Sequence, residues 1–308
     1  MHPFLSDPPT KRTGKSFFPN IIWIVVLVSF TPMLLVSGLV LDQFSISHNE
    51  KLYAHLKEVV HKHTIDIDTF LNERLSNIKF LLNNSGIQHL TDEAFLQEKL
   101  HNLQLTYGDI FVDLGIVNEK GVLEVYAGRL KLEKAHYANA EWFPEAIANQ
   151  QYISDVFLGL RSSPHFIVSV KSSCQGRDLL LKATINFQAF NSLAENLRIG
   201  KTGFAFILNK KGEFQTKPHY DMLPVKTSYL GFIRAGKKLK HGTYVGKISD
   251  AAGGGEIIYV ATLLKNNDWI LVYQQEKAEA FADLIHAQIT AGVVIFVGAL
   301  AIVIMNLF

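Results

Sequence analysis

Two long stretches free of charge bracket this chain, and they constrain it more than any other feature. From Ser16 to Leu41 no ionisable side chain occurs, and the run from Ile21 to Leu41 matches the roughly 20 residues that cross about 30 Å of hydrocarbon. A second run, Ala287 to Phe308, is as long and as apolar. Both read as transmembrane helices. A cleaved signal peptide would need a short apolar core and a small-residue cleavage site, and neither is visible near the first run. Pro32 removes one backbone donor within it and predicts a kink, with Ser29 or Thr31 supplying a compensating hydrogen bond.

Lys11, Arg12 and Lys15 precede the first run, whereas Asp42, Glu50, Glu276, Glu279 and Asp283 gather on the other side of both. Basic residues stay inside, so the intervening segment of about 245 residues faces outward, as in a two-pass membrane protein. Of the 308 residues 48% are apolar and 19% charged, which excludes a disordered chain. A net charge of +2, with no zinc finger, basic zipper or RNA-stacking signature, gives no reason to expect nucleic acid as a partner. The single cysteine, Cys174, excludes a disulfide framework or a cysteine-built metal site within one chain. No Gly-x-Ser-x-Gly elbow, His-Glu-x-x-His pair or kinase signature appears, so no residue is assigned a catalytic role, and neither a cofactor nor a metal is expected. His61 and His63 are two apart on a helix and point about 200° away from each other, which does not suit a shared metal.

The outer segment divides by periodicity. Between Ser45 and Asn84, Leu52, Leu56, Val59, Ile67, Phe70, Leu75, Ile78 and Leu82 recur at mostly helical spacing, His63 filling one place, with no proline or glycine between; this predicts one long amphipathic helix, read as a signalling and dimerisation stalk or as a helix that packs on the neighbouring domain, the two not being exclusive. A second helix is predicted over Asp92–Leu105. The pattern then alternates: strands at Asp109–Val117 and Val122–Tyr126 flank the turn Asn118-Glu119-Lys120-Gly121, a helix covers Glu141–Asn149, strands follow at Tyr152–Phe157, His165–Lys171 and Leu179–Ile185, and a helix spans Phe187–Leu197. The plan repeats at smaller scale, with Gly203–Leu208, the turn Asn209-Lys210-Lys211-Gly212, a helical or loop stretch through Gly236, and strands at Thr243–Ile248, Glu256–Leu263 and Trp269–Tyr273. The glycine run at Asp250–Gly255 lacks the Lys-Ser/Thr pair of a phosphate loop and reads as a hairpin loop. From Gln274 a helix is predicted to run unbroken into the second apolar stretch. The class is α+β with antiparallel sheets.

This order of parts resembles the double Cache sensor domains of bacterial histidine kinases and chemoreceptors. Local strings add to the likeness: His136-Tyr137-Ala138-Asn139-Ala140-Glu141-Trp142-Phe143, Tyr152-Ile153-Ser154-Asp155-Val156-Phe157-Leu158-Gly159 and Pro164-His165-Phe166 in the first unit, then Gly200-Lys201-Thr202-Gly203-Phe204-Ala205-Phe206 and Asp268-Trp269 in the second. The resemblance implies two tandem PAS-like units. It divides the chain into a cytoplasmic N-terminus (1–20), a first transmembrane helix (21–41), a stalk helix (42–84), a membrane-distal unit (85–198), a membrane-proximal unit (199–274), a descending helix (275–286) and a second transmembrane helix (287–308).

It also implies a small-molecule pocket in the distal unit. Tyr137, Trp142, Phe143, Tyr152 and Phe166 offer apolar walls with hydroxyl handles, and Asp155, Arg161 and His165 offer polarity. Trp142 and Phe143 on a short helix fit a core role as well, and Arg161 a solvated one. In the amino-acid-binding members an arginine two residues before the tryptophan grips a carboxylate and a later aspartate holds an ammonium; here those positions are Ala140 and Asn186. With both clamps missing, the expected ligand is a small carboxylate or a neutral, partly apolar metabolite, because an unpaired buried charge costs several kcal/mol. The implied protein is the sensory front end of a two-component histidine kinase, with a chemoreceptor or a stand-alone membrane-anchored regulator as alternatives. The implied partners are membrane lipid, a second copy of the chain and a cytoplasmic output domain.

Overall fold

The computed structural model describes residues 18–130, 132, 135–159, 163–174, 176–217, 243–249 and 255–307. They form two compact units: the ends of the chain, up to Leu52 and from Phe281, and a central unit, Tyr53–Ala280. Among the described residues two helices are long and apolar enough to cross a membrane, one near each end, within Phe30–Ser85 and Ala282–Ala301. The first helix, α1 (Phe18–Ser85), joins the predicted membrane segment and stalk in one element that includes Pro32. Thr31 Oγ1 donates to the Leu27 carbonyl at 2.7 Å, the ordinary back-bond of a helix threonine to residue i−4 rather than a partner for the Val28 carbonyl that Pro32 deprives of its donor.

Within the central unit α1 buries Leu56, Val60, Thr64, Ile67, Leu71, Arg74, Ile78 and Leu82. Spacings of three and four keep these on one face. Val60 and Leu71 take places assigned above to Val59, Phe70 and Leu75, which are only half-buried. The guanidinium of Arg74 lies 4.9 and 4.8 Å from the ring centres of Phe70 and Tyr107, pinning α1 beside Tyr107.

A short α2 (Ile87–Leu90) leads to α3 (Glu93–Tyr107), whose N-cap Asp92 accepts from the Phe95 amide at 2.8 Å. The first lobe is an antiparallel sheet of β1 (Phe111–Asn118), β2 (Leu123–Ala127), β3 (Gln151–Ile153), β4 (His165–Cys174) and β5 (Arg177–Asn186), in the order β2-β1-β5-β4-β3. Helix α4 (Phe143–Ala148) lies between β2 and β3, and α5 (Phe187–Glu195) follows β5. The second lobe contains β6 (Phe204–Asn209), β7 (Tyr244–Ser249), β8 (Glu256–Leu264) and β9 (Trp269–Glu276), in the order β6-β9-β8-β7. Two antiparallel sheets in series agree with the sequence reading.

Both lobes use the same turn. Asn118 Oδ1 accepts from the amides of Lys120 and Val122, and Asn209 Oδ1 from those of Lys211 and Glu213. Gly121 takes φ 77°, and a Cβ there would lie 2.5 Å from the Ala138 backbone nitrogen. Its carbonyl accepts from the Tyr137 amide at 2.7 Å, so this glycine turn also places Tyr137.

The unbroken helix expected from Gln274 is not present. Gln274 and Glu276 pair with Phe204 and Ile257, so β9 runs on to Glu276 before α6 (Lys277–Ala280), a turn at Phe281 and α7 (Ala282–Leu307). Sheet pairing outweighs helix propensity over those residues. Most of the stretch expected to reach Gly236, and nearly all of the glycine run at Asp250–Gly255, lie outside the described residues.

Candidate ligand-binding site

Strand alternation decides which side chains of the first lobe share a face. Val117, Ile167 and Leu180 pack with Leu123, Trp142, Phe143 and Ala146 on the face covered by α4. Farther along the same face is a cavity of about 920 Å³, lined by the sheet, the segment 136–142 and the loop after β3.

Its floor carries charge. Asp113 on β1 and Lys182 on β5 are both buried, with the ammonium 3.1 Å from Asp113 Oδ1. Thr184 Oγ1 donates to the same oxygen at 2.7 Å. The β1–β5 register sets Asp113 opposite Thr184 and Gly115 opposite Lys182, which brings together residues about 70 apart in sequence. A buried pair like this gains little over an apolar pair of similar volume, whereas losing one partner costs about 3–5 kcal/mol. The ammonium also lies 5.4 Å from the Tyr137 ring centre.

The walls are aromatic. Tyr137 and Trp142 rings are 5.3 Å apart, and Tyr152 stands nearby, its phenol pushed up to about 12 by burial and by the carboxylates of Asp155, Glu145 and Asp268. That phenol stays neutral and able to donate at any physiological pH. Phe157 and His165 close a loop through two mutual backbone hydrogen bonds, 2.9 and 3.1 Å, with rings 4.5 Å apart. The His165 ring nitrogen Nδ1 donates to the Ser163 carbonyl at 2.8 Å, which leaves Nε2 as the other polar atom of the ring. A Cβ on Gly159 would lie 2.9 Å from His165 Cε1, so glycine is what admits the imidazole there.

Asp155 lines the cavity, yet its carboxylate is held by the second lobe: Oδ1 accepts from Trp269 Nε1 at 2.7 Å and Lys265 Nζ at 3.2 Å, and Oδ2 from Asn209 Nδ2 at 2.9 Å. Burial opposes its charge, but these donors outweigh burial and hold the carboxyl below its ordinary value.

Of the residues proposed from sequence, Tyr137, Trp142, Tyr152, Asp155 and His165 meet at this cavity. Three do not line it. Phe166 follows His165 in β4 and therefore points to the opposite face, where its ring packs 5.3 Å from Phe190 of α5. Phe143 turns into the core beneath α4. Asn186 caps α5, its Oδ1 accepting from the Gln188 amide at 2.9 Å. Arg161 lies outside the described residues. Ala140 does line the cavity. Sequence reasoning missed Asp113, Lys182 and Thr184; the available signal was one charge of each sign set into an apolar run, FVDLGIV and LLLKATI.

The family model of the Cache domain designated dCache_1 matches residues 45–284. A search of curated protein sequences returns no match. Solved structures with the same fold include the ligand-binding domain of the amino acid chemoreceptor PctB of Pseudomonas aeruginosa PAO1 in complex with L-Arg, at 15% identity and a TM-score of 0.59, covering 76% of this chain and 98% of that one. The ligand-binding domain of the chemoreceptor CtaA of Pseudomonas fluorescens in complex with L-isoleucine gives 16% and 0.58, covering 77% and 97%. The extracellular domain of mmHK1S-Z2, described as a histidine kinase, gives 12% and 0.56, covering 75% and 99%. With two tandem antiparallel lobes behind a long helix and a family match over most of its length, this chain belongs to the double Cache family of sensor domains.

Proposed function

We propose that this chain is the small-molecule sensing part of a two-pass inner-membrane signalling receptor, with the first-lobe cavity as its ligand site. The observation that carries the reading is an aromatic-walled cavity with a hydrogen-bonded charged floor, because orienting polar groups in an apolar recess is what a selective small-molecule site requires.

The lining favours a ligand that carries an ammonium group. Of the five carboxylates that line it, Asp113, Asp155 and Glu141 are paired with Lys182, Lys265 and Lys211, which leaves Glu145 and Glu213 without a lysine salt bridge among the described residues, and Tyr137, Trp142 and Tyr152 supply ring faces that attract cations. The sequence pointed to a carboxylate or a neutral metabolite through Ala140 and Asn186. Asn186 is not at the cavity, so its lack of charge does not bear on an ammonium, while Ala140 still provides no grip on a carboxylate. Small amines, and amino acids whose carboxylate reaches Lys182, fit this balance. The test is a melting-temperature screen of the whole chain in detergent against amines, amino acids, carboxylates and neutral metabolites. Amines or amino acids are expected to raise the transition; a rise with carboxylates alone would refute the ligand class.

The receptor type proposed is a histidine kinase, supported by the shared fold with mmHK1S-Z2; a chemoreceptor is the second reading, supported by the shared fold with PctB and CtaA. The coding sequence after Phe308 separates them, since a kinase needs a phosphoacceptor histidine and an ATP-binding domain and a chemoreceptor a long helical hairpin. A homodimer through α1 is supported by an uncharged exposed stripe, Ile65, Thr69, Asn72, Ser76 and Phe80, in which Phe80 is 70% exposed. Sedimentation of the Phe80→Glu variant, expected to be monomeric, tests it.

A further inference from the structure

Lys265, Asn266 and Asn267, in the turn from β8 to β9, adopt φ of 53°, 53° and 71° and are the non-glycine residues with positive φ among those described. Asparagine enters this region readily; lysine has no such allowance and holds it only where its surroundings over-determine the backbone. Here they do. The Lys265 amide donates to Asp68 Oδ1 on α1 at 2.8 Å, its carbonyl accepts from the Asp268 amide at 3.0 Å, and its ammonium lies 4.1 Å from the Trp269 ring centre while donating to Asp155 Oδ1. The side chain is 8% exposed. The same cavity segment is tied again by the Val156 amide, which donates to Gln215 Oε1 at 2.7 Å.

We infer that Lys265 is a positioning residue that links the cavity wall at Ser154–Phe157 to α1 at Asp68. Its backbone is bound to α1, its side chain to the cavity wall, and the strained turn keeps the two ends from moving independently. A ligand that shifts Asp155 must therefore be felt at Asp68, and a change in α1 must be felt at the wall, because coupling between two sites is reciprocal. The functional meaning rests on the cavity being the ligand site, but the link itself does not.

Hydrogen exchange on the whole chain in nanodiscs, without any ligand, tests it. Asp68→Ala is expected to speed exchange of the Val156 and Phe157 amides by about 5- to 10-fold, the low end of ordinary site-to-site coupling, while β5 amides stay unchanged. In a Lys265→Met background, which keeps the stem and the amide but loses the ammonium, Asp68→Ala should no longer reach those amides. A purely local role for Asp68 would leave Val156 and Phe157 unaffected, and a route that bypasses Lys265 would leave the effect intact in Lys265→Met; either result overturns the inference. Should Asp68→Ala fail to fold, Lys265→Met alone must speed exchange at Val156 and Phe157, or the inference fails. Absence of any ligand shift in the melting screen would sink the proposed function and leave this link standing.

Discussion

The two lobes follow one plan and treat the same face of the sheet in opposite ways. In each, one face turns toward Phe190: Phe166 meets it from the first lobe at 5.3 Å and Trp269 from the second at 5.4 Å. On the other face the second lobe packs Phe204, Phe206, Leu208, Tyr259, Ala261, Ile270 and Val272. The first lobe sets Asp113, Lys182 and Thr184 there and leaves a cavity above them. Apolar packing gains stability with every group buried, whereas a buried ion pair roughly balances its own desolvation. The first lobe has a recess over a charged floor where the second has a packed apolar layer.

The sharpest way to break this contrast is to remove one member of each face. Lys182→Ala leaves Asp113 buried without its cation and is expected to cost about 3–5 kcal/mol in denaturant unfolding. Phe206→Ala should cost a similar amount, about 3–5 kcal/mol, by opening a void in the second lobe. The two losses have different remedies. Replacing the pair together, as Asp113→Leu with Lys182→Met, should recover most of the loss, the remainder being the Thr184 hydroxyl left without its acceptor. If the double variant is as unstable as Lys182→Ala, the floor is structural and the contrast fails.

A smaller effect concerns pH and belongs to the second lobe. Glu279 accepts from the Lys201 and Thr202 amides at 2.6 and 2.8 Å and from the Thr202 hydroxyl, and these bonds, the hydroxyl foremost, bring its carboxyl from 4.5 to about 2. A carboxyl whose folded value is depressed stabilises the fold above its unfolded value and loses that contribution as pH falls through the folded one. The stabilisation should be complete above about pH 4.5 and vanish toward pH 2. Because Glu279 is largely solvated, screening reduces it to about 1 kcal/mol. Glu279→Gln should flatten that acid limb in a pH series of melting temperatures and leave the first lobe's behaviour unchanged. The smallest effect is expected at the cavity rim, where Lys211 and Glu141 pair at 3.4 Å fully in solvent. Glu141→Gln should not move the melting temperature measurably.

Much of this was legible in the chain itself. The apolar ends, the two Asn-x-Lys-Gly turns and the alternation of the strands gave the order of elements, because each is a local signal. Tyr137, Trp142 and Tyr152 lie in the strings that carry the Cache resemblance, and that likeness is what pointed to them. The floor did not stand out, because a lone Asp or Lys in a strand reads as the solvated face until the register is known, and register here joins residues from opposite ends of the lobe. Phe166 directly follows His165 in β4, so the two side chains fall on opposite faces and only one of them can line the cavity. The helix expected from Gln274 failed for the opposite reason, since QQEKAEAFA has good helical propensity and only pairing with β6 and β8 keeps its first three residues extended.

A ligand read at the charged floor of the first lobe must lose its effect when that floor is removed. The compound giving the largest rise in melting temperature for the natural chain, which at 100 times its dissociation constant corresponds to about 2.7 kcal/mol, is titrated against two variants. The rise is expected to disappear in Asp113→Leu with Lys182→Met, although that protein is folded, and to survive in Phe206→Leu. A rise that persists without the floor, or that is lost with Phe206 alone, would contradict that expectation.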